Sequence, residues 1–254
     1  MENPLVSIIT PTHNRARYLS RLYECIRRQK SVDFEWHILD DSTERSSEAQ
    51  SWTMNDPRVD YEHESSRRLM GEKRNELCRR AKGKIIAMLD DDDYYAPHYL
   101  TQMLSVMKER EVDFVKLYGF FLYYVEGGVF AYWDMTSRII PPPDPRSAPA
   151  FKSVQLPVSE ALGFGFTYVF KKKVWDAVNF PEWHPGMLEE EKNWNEDGKF
   201  ITEAIKQFEL AGIQDTGCSC IHTIHAANSS RSWPEHLLPG FLLPRLFPDF
   251  QTIE

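Results

Sequence analysis

The chain of 254 residues has no apolar run near the ~20 residues that a bilayer-crossing helix needs. No transmembrane segment is expected, and peripheral contact is the most that the sequence leaves open toward a membrane. A basic leader is also missing. Met1-Glu2-Asn3-Pro4 carries no positive charge, and the apolar run behind it is short, so no signal peptide is expected. Cysteine is scarce, and four in a chain of this size point to free thiols in a reducing compartment. Together these absences give a cytoplasmic expectation. An excess of base is lacking too: the formal net charge is −8, which argues against a nucleic-acid partner, since that would require a basic face. Arg67-Arg68 and Lys171-Lys172-Lys173 are only local clusters. No internal repeat is visible, and no glycine falls between Pro11 and Arg17.

A hydrophobic fraction of 42% is enough to bury one full core. Leu5 to Thr10 reads as a short strand that Pro11-Thr12-His13-Asn14 breaks. Leu19, Leu22, Tyr23 and Ile26 follow at helical spacing, with Cys25 on the same buried face. Phe34 to Leu39 is a second strand, and Arg58 to Glu62 a weaker one. A helix from about Met70 to Ala81, burying Cys78, precedes a strand at Lys84 to Leu89. Leu100, Met103, Leu104 and Met107 mark the next helix. This alternation predicts an α/β fold with a central, mostly parallel sheet flanked by helices. Parallel strands end on one edge, so the polar residues after the strands at Leu5, Phe34 and Lys84 should converge.

Beyond Glu111 the pattern changes to a smaller mixed region. Val112 to Trp133 reads as strands joined at Gly127-Gly128, and Ile139 to Pro149 as a proline-rich loop. Phe166 to Phe170 reads as a strand. A helix through Ile201, Ala204, Ile205 and Phe208 ends near Leu210, and Gln214 to His222 is a last strand carrying Cys218 and Cys220 on one buried face. The tail from Trp233 is expected to lie across the core. Residues 1–110 and 111–254 are thus two halves of one continuous domain.

The most telling stretch is Leu89-Asp90-Asp91-Asp92-Asp93, where a buried strand runs into four carboxylates. Adjacent like charges repel most where water is partly excluded. A strand tip of an α/β sheet is such a place, and it is also where ligands bind. A hard divalent cation, Mg²⁺ or Mn²⁺, would relieve the repulsion and bridge to phosphate oxygens. A solvated acidic loop is the competing interpretation.

Six segments, in order, resemble the family 2 glycosyltransferases of GT-A fold. Val6-Ser7-Ile8-Ile9-Thr10-Pro11-Thr12-His13-Asn14-Arg15 resembles the family's opening strand. Leu39-Asp40-Asp41-Ser42 is similar to its second strand end, with Ser42 where glycine is usual. Gly71-Glu72-Lys73-Arg74-Asn75 with Ala81-Lys82-Gly83 resembles its G-x-x-A-R-N…A-x-G segment, with Lys73 where alanine is frequent. Leu89 to Asp93 resembles its DxD motif, Trp194-Asn195-Glu196-Asp197 its E-D motif, and His225 to Ser230 its late H-x-x-N-x-S. The match is dense from residue 4 to about 110 and sparse from 160 to 230.

The resemblance implies an inverting transfer of a hexose-type sugar from a nucleotide diphosphate sugar to an acceptor hydroxyl. The acceptor would be a glycan, a lipid-linked species or a small molecule, in polysaccharide or glycoconjugate assembly. It implies Asp92 as the ligand to Mn²⁺ or Mg²⁺, with His225 completing the shell and His222 the alternative. Asp90 would contact the ribose or the metal through water, with Asp91 and Asp93 behind. Asp41 would accept from a base N–H, Pro11, Thr12 and Asn14 would line the nucleotide pocket, and Arg68 or Arg74 would donate to the nucleotide. Asp197 is the implied general base and Glu196 the fallback.

Blander readings stand beside these. Asp41 suits a turn cap. Glu196 and Asp197 suit a helix N-terminus. Cys218, Cys220, His222 and His225 could bind zinc, though their spacing is not that of a standard finger. Trp175, Trp183, Trp194 and Trp233 could stack on a sugar but are ordinarily core. Gly163 to Phe166 reads as a flexible acceptor-side segment or a strand entry. A nucleotidyltransferase making sugar nucleotides would need a glycine-rich phosphate loop near the N-terminus, which is missing. A non-catalytic sugar or nucleotide binder on the same scaffold is the third hypothesis.

Overall fold

The computed structural model describes residues 4–140, 152–155, 161–182, 196–226, 228 and 236–252. The bulk of the proline-rich 139–149 stretch, Trp183, Trp194, Trp233 and the Ser229-Ser230 end of the late motif lie outside these residues.

The first half alternates strand and helix, with α2 and β5 added to the elements read from the sequence: β1 (Val6–Thr12), α1 (Ala16–Arg27), β2 (Phe34–Asp40), α2 (Ser47–Asn55), β3 (Val59–His63), α3 (Met70–Arg80), β4 (Ile85–Met88), β5 (Tyr94–Tyr95) and α4 (Tyr99–Glu109). The second half contains β6 (Phe114–Tyr124), β7 (Val129–Asp134), β8 (Ser137–Ile140), β9 (Lys152–Gln155), β10 (Val169–Lys171), α5 (Lys172–Ala177), α6 (Glu196–Ala204), β11 (Leu210–Gln214), β12 (Cys220–Ile224), β13 (His236–Leu238) and α7 (Leu243–Leu246). Among the described residues no helix is long and apolar enough to cross a membrane.

One mixed sheet runs in the order β13-β7-β6-β10-β4-β1-β2-β3, with β11 and β12 also paired to β6. Strands β4, β1, β2 and β3 are parallel, as alternation with helices requires, whereas β10 enters antiparallel between β4 and β6. Alternate residues of β1 face opposite layers. Val6 and Ile8 pack with Leu19, Leu22 and Ile26 of α1 and with Leu100 and Met103 of α4. Ile9 packs on the other face with Leu77 of α3 and with Phe200 and Ile201 of α6.

The strand β1 continues through Pro11 to Thr12 instead of breaking at Pro11, and β8 takes in Ile139 and Ile140, which were read as loop. Three further boundaries differ from the sequence reading, each for a local reason. Residues 165–167 form a 3₁₀ turn, and the strand begins only at Val169. Helix α6 ends at Ala204, where Gln207 and Phe208 both donate to the Ala204 carbonyl and close the last turn. The single strand expected from Gln214 to His222 is two strands, because the Asp215 carboxylate accepts from the Ser219 and Cys220 amides and folds a turn between them. Cys218 sits in that turn at φ +53° and only Cys220 is on the strand, so the two do not share a strand face. Cys25, Cys78 and Cys220 are buried free thiols. The tail packs as expected, with Phe247 buried against Tyr94, Phe121 and Phe130.

Candidate active site

The parallel register aligns Thr12 of β1 with Asp40 of β2 and Ile9 with Met88 of β4. The three strands therefore release their polar ends on one edge. Ile9 turns its carbonyl to Leu89, so Pro11, two residues on, faces the same side beyond the end of β4, where a missing N–H breaks no ladder bond. The β5 strand then pairs with β12 and carries the aspartate run against His222 and His225.

Each aspartate of the run has its own partner. Asp90 lies 3.8 Å from the Arg74 guanidinium, its amide donates to Tyr95 Oη at 3.0 Å, and its side chain is 32% exposed. Asp91 accepts from Thr12 Oγ1 at 2.5 Å and from Arg15 Nη1 at 3.2 Å. Asp92 Oδ2 lies 2.7 Å from Arg15 Nη1 and 3.1 Å from His225 Nε2. Asp93 accepts from the Thr223 amide at 2.8 Å and lies 2.9 Å from His222 Nδ1, so it anchors β12. Desolvation raises the carboxyl of Asp90 above its ordinary range, Arg74 opposes, and the neighbouring aspartates add to the rise. Asp91 rises for the same first reason, with Asp92 beside it. At Asp92 burial also disfavours the charge, but the bond to His225 and the Arg15 charge outweigh it and hold the carboxyl below its usual range.

The nucleotide candidates are in less direct positions. Asp41 is fully buried at its side chain and accepts from Lys73 Nζ at 2.8 Å and the Arg68 amide at 2.7 Å, with His13 Nδ1 at 3.1 Å. Arg68 thus offers its backbone to Asp41, while its guanidinium pairs with Glu64 at 2.6 Å. Pro11 and Thr12 are buried, and Thr12 points to Asp91. Asn14 is exposed at φ +53°, and its Oδ1 accepts from the Thr43 amide at 3.0 Å. The turn cap considered for Asp41 falls to Asp40, which accepts from the Ser42 amide at 2.9 Å.

Arg74 joins this edge to the start of α6: its Nη1 donates to buried Glu196, and Asp90 lies on its other side. Burial raises the Glu196 carboxyl, and Arg74 works against the rise. Asp197 is partly exposed, with Oδ2 accepting from the Gly165 amide at 2.6 Å and Oδ1 from the Gly198 amide at 2.7 Å. A Cβ at Gly165 would lie 2.8 Å from Met88 Cε and 2.9 Å from Asp197 Cβ, so the start of α6 abuts the end of β4. His225 stacks on Tyr18 with ring centroids 4.7 Å apart, and His222 on Phe166 at 4.5 Å. Trp175 donates to Asn75 Oδ1 at 2.9 Å and so serves the α3–α5 contact.

Sequence reasoning assigned no site role to Arg15, Arg21, Lys73 or Lys116. Arg15 follows Asn14 within the opening motif, so its position was the available signal. Arg21 donates to the Asp92 carbonyl and, at 3.0 Å, to Thr223 Oγ1. It lies on a helix face where a solvated charge is the default. Lys116 interrupts an apolar strand, and that break in the pattern was visible.

Among the described residues no group of three or more His, Cys, Asp or Glu side chains is gathered to hold a metal, and the zinc reading finds no cluster there. Asp92 Oδ2 and His225 Nε2 converge at 3.1 Å. One carboxylate and one imidazole fit an ion that takes its remaining positions from phosphate oxygens and water, the habit of Mg²⁺ and Mn²⁺.

A family model described as "Glycosyl transferase family 2" matches residues 7–157, more than half of the chain. The chain belongs to glycosyl transferase family 2. WcaA of Escherichia coli, a family relative whose name assigns it to colanic acid biosynthesis, is 33% identical over 119 residues, 46% of this chain and 42% of its own. The S. aureus TarS 1–349 structure in complex with UDP-GlcNAc superposes at a TM-score of 0.64 and 17% identity, covering 92% of this chain and 62% of that one. The Pyrobaculum calidifontis mannosyltransferase PcManGT in complex with GDP-Man and Mn²⁺ superposes at 0.61 and 17% identity, covering 90% and 59%. The chain therefore spans less than two thirds of each of these proteins. At such identities the superpositions establish a shared GT-A-like fold.

Proposed function

We propose that this family 2 member is an inverting glycosyltransferase. It would move a sugar from a nucleotide diphosphate sugar to an acceptor hydroxyl. The observation that carries the reading is the meeting of two groups on one sheet edge. Asp92 and His225 converge beyond β4, and Arg74 ties the adjacent Asp90 to the Glu196-Asp197 start of α6.

In this reading Asp197 takes the proton of the acceptor hydroxyl as its oxygen attacks the anomeric carbon. The bond from that carbon to the diphosphate breaks on the opposite face. Asp197 is favoured over Glu196 because it is partly exposed and held by two backbone amides, while Glu196 is buried against Arg74. Asp92 and His225 are the residues that would hold Mn²⁺ or Mg²⁺, which supplies Lewis-acid stabilisation of the departing diphosphate. Arg15 sits at Asp91 and Asp92 and would add a positive charge toward the same phosphates. Asp41, Thr12, Pro11 and Asn14 shape the nucleotide side, with Asp41 acting through the groups packed on it. The acceptor is a glycan, lipid-linked or small-molecule hydroxyl, and the name of WcaA supports a setting in polysaccharide biosynthesis.

The test is a thermal-shift panel of UDP, GDP, UDP-GlcNAc and GDP-mannose, each with and without Mn²⁺. A ligand that binds only the folded state raises the midpoint by mass action. A metal-dependent rise with one nucleotide is expected, and Asp92→Ala should abolish it. Asp197→Asn should keep that rise while turnover falls by about 10²-fold or more, the scale of a lost general base. No rise with any nucleotide sinks the donor reading. Donor binding without turnover in the wild type favours a binding protein.

A further inference from the structure

Lys116 is the third residue of β6 and is fully buried. Among the described residues no carboxylate is within ion-pair distance of it. Its Nζ donates instead to the backbone carbonyls of Ala161 and Gly163. The carbonyl between them, that of Leu162, accepts from Tyr168 Oη. Three successive carbonyls thus turn inward to buried donors. The next residue, Phe164, is left-handed at φ +70°, a conformation that a bulky side chain adopts only when its surroundings impose it. Gly165 then directs its amide at Asp197 Oδ2 at 2.6 Å. A buried ammonium is costly, and among the described residues this one serves no ion pair. It gathers the segment that ends on the proposed base.

We propose that Lys116 is a positioning residue for Asp197: its ammonium gathers the Ala161 and Gly163 carbonyls and so sets the Gly165 N–H against the Asp197 carboxylate. This rests on the reading of Asp197 as the general base.

Among the described residues, three titratable groups face the ammonium. Tyr118 of β6 and Tyr168 before β10 present their rings at 5.4 and 5.6 Å, and Asp197 comes from α6. Burial lowers Lys116 to about 7 while Asp197 opposes the fall. Burial raises both tyrosines, so neither loses its proton in the same range. Near neutral pH the clamp therefore passes from a charged donor to a weaker neutral one.

The experiment is an NMR titration of the full chain, uniformly ¹⁵N-labelled with ¹³Cε lysine, and needs no substrate. Lys116 is assigned by its absence in Lys116→Gln. The expected result is a Lys116 midpoint near 7 and a Gly165 amide shift that follows the same midpoint. Asp197→Asn removes the opposing charge and should move the Lys116 midpoint to lower pH by roughly one unit. A Gly165 amide that stays flat through the Lys116 titration overturns the proposal, as does an unmoved midpoint in Asp197→Asn. If Lys116→Gln does not fold, Lys116→Arg, which keeps the charge, supplies the same assignment, and Gly165 is assigned from the backbone of the wild type. Failure of the functional reading is separate: Asp197→Asn would then keep full turnover whatever the amide does.

Discussion

At the scale of single residues, the informative groups are charges taken out of water. Asp41 was legible as an important carboxylate because Leu39-Asp40-Asp41-Ser42 ends a strand. Its partner was not legible. Lys73 comes from the first turns of α3, and only the packing of that helix on β1 brings its Nζ to Asp41 and, at 2.9 Å, to the Thr12 carbonyl. Burial disfavours the Asp41 charge, but Lys73 and the Arg68 amide hold the carboxyl below its usual range. Asp41→Asn is expected to lower stability by about 3 kcal/mol in urea unfolding at neutral pH, because it strands a buried ammonium. The sign of the pH dependence follows from a lowered folded value. The Asp41 contribution is complete above the unfolded carboxyl value near 3.8 and is lost as pH falls through the lower folded value. The gap between wild type and Asp41→Asn should therefore narrow in acid, and a gap independent of pH would contradict the pairing.

At the scale of elements, the turn from β4 to β5 and the start of α6 carry the proposed site. The aspartate run could be read as a strand end, and Glu196-Asp197 as a helix start. That the two meet is a property of the sheet, since β10 enters between β4 and β6 and the turn leading into it starts at Gly165, whose amide meets Asp197. Gly165 has room for no side chain between Met88 and Asp197. Gly165→Ala should push α6 from β4 and cost about 10²-fold in kcat, the scale of an ångström misplacement, with a smaller change in Tm. Equal kcat in that variant would show that the contact does not set the base. The strand expected from Gln214 to His222 failed at the same scale, because the Asp215 carboxylate takes over backbone amides that a strand would have paired.

At the scale of the molecule, β6 gathers the strands of the region after Glu111. Its first residues pair with β10 and β11, and its later ones with β7 and β12. The tail closes over this strand and over Tyr94, two residues past Asp92, so the C-terminal aromatics pack next to the end of the aspartate run. Phe247→Ala should cost about 3–5 kcal/mol in urea unfolding, as for a buried phenylalanine. It should also weaken any metal-dependent nucleotide shift, through Tyr94. A loss of stability under 1 kcal/mol would show that the tail is only loosely seated.

The sequence alone determined the alternating half, the parallel strands β1 to β4 and the edge on which their polar ends gather. Those properties follow from short-range periodicity and from the handed, local geometry of strand and helix. Its motifs also pointed to the right family. The tertiary structure alone decided that Arg15 and His225 flank Asp92, that Lys73 neutralises Asp41, and that Lys116 gathers the carbonyls beneath Asp197. These pairings join residues far apart in the chain. Once water is excluded, each buried charge must find a partner, and which one lies within reach depends on how the sheet and helices pack.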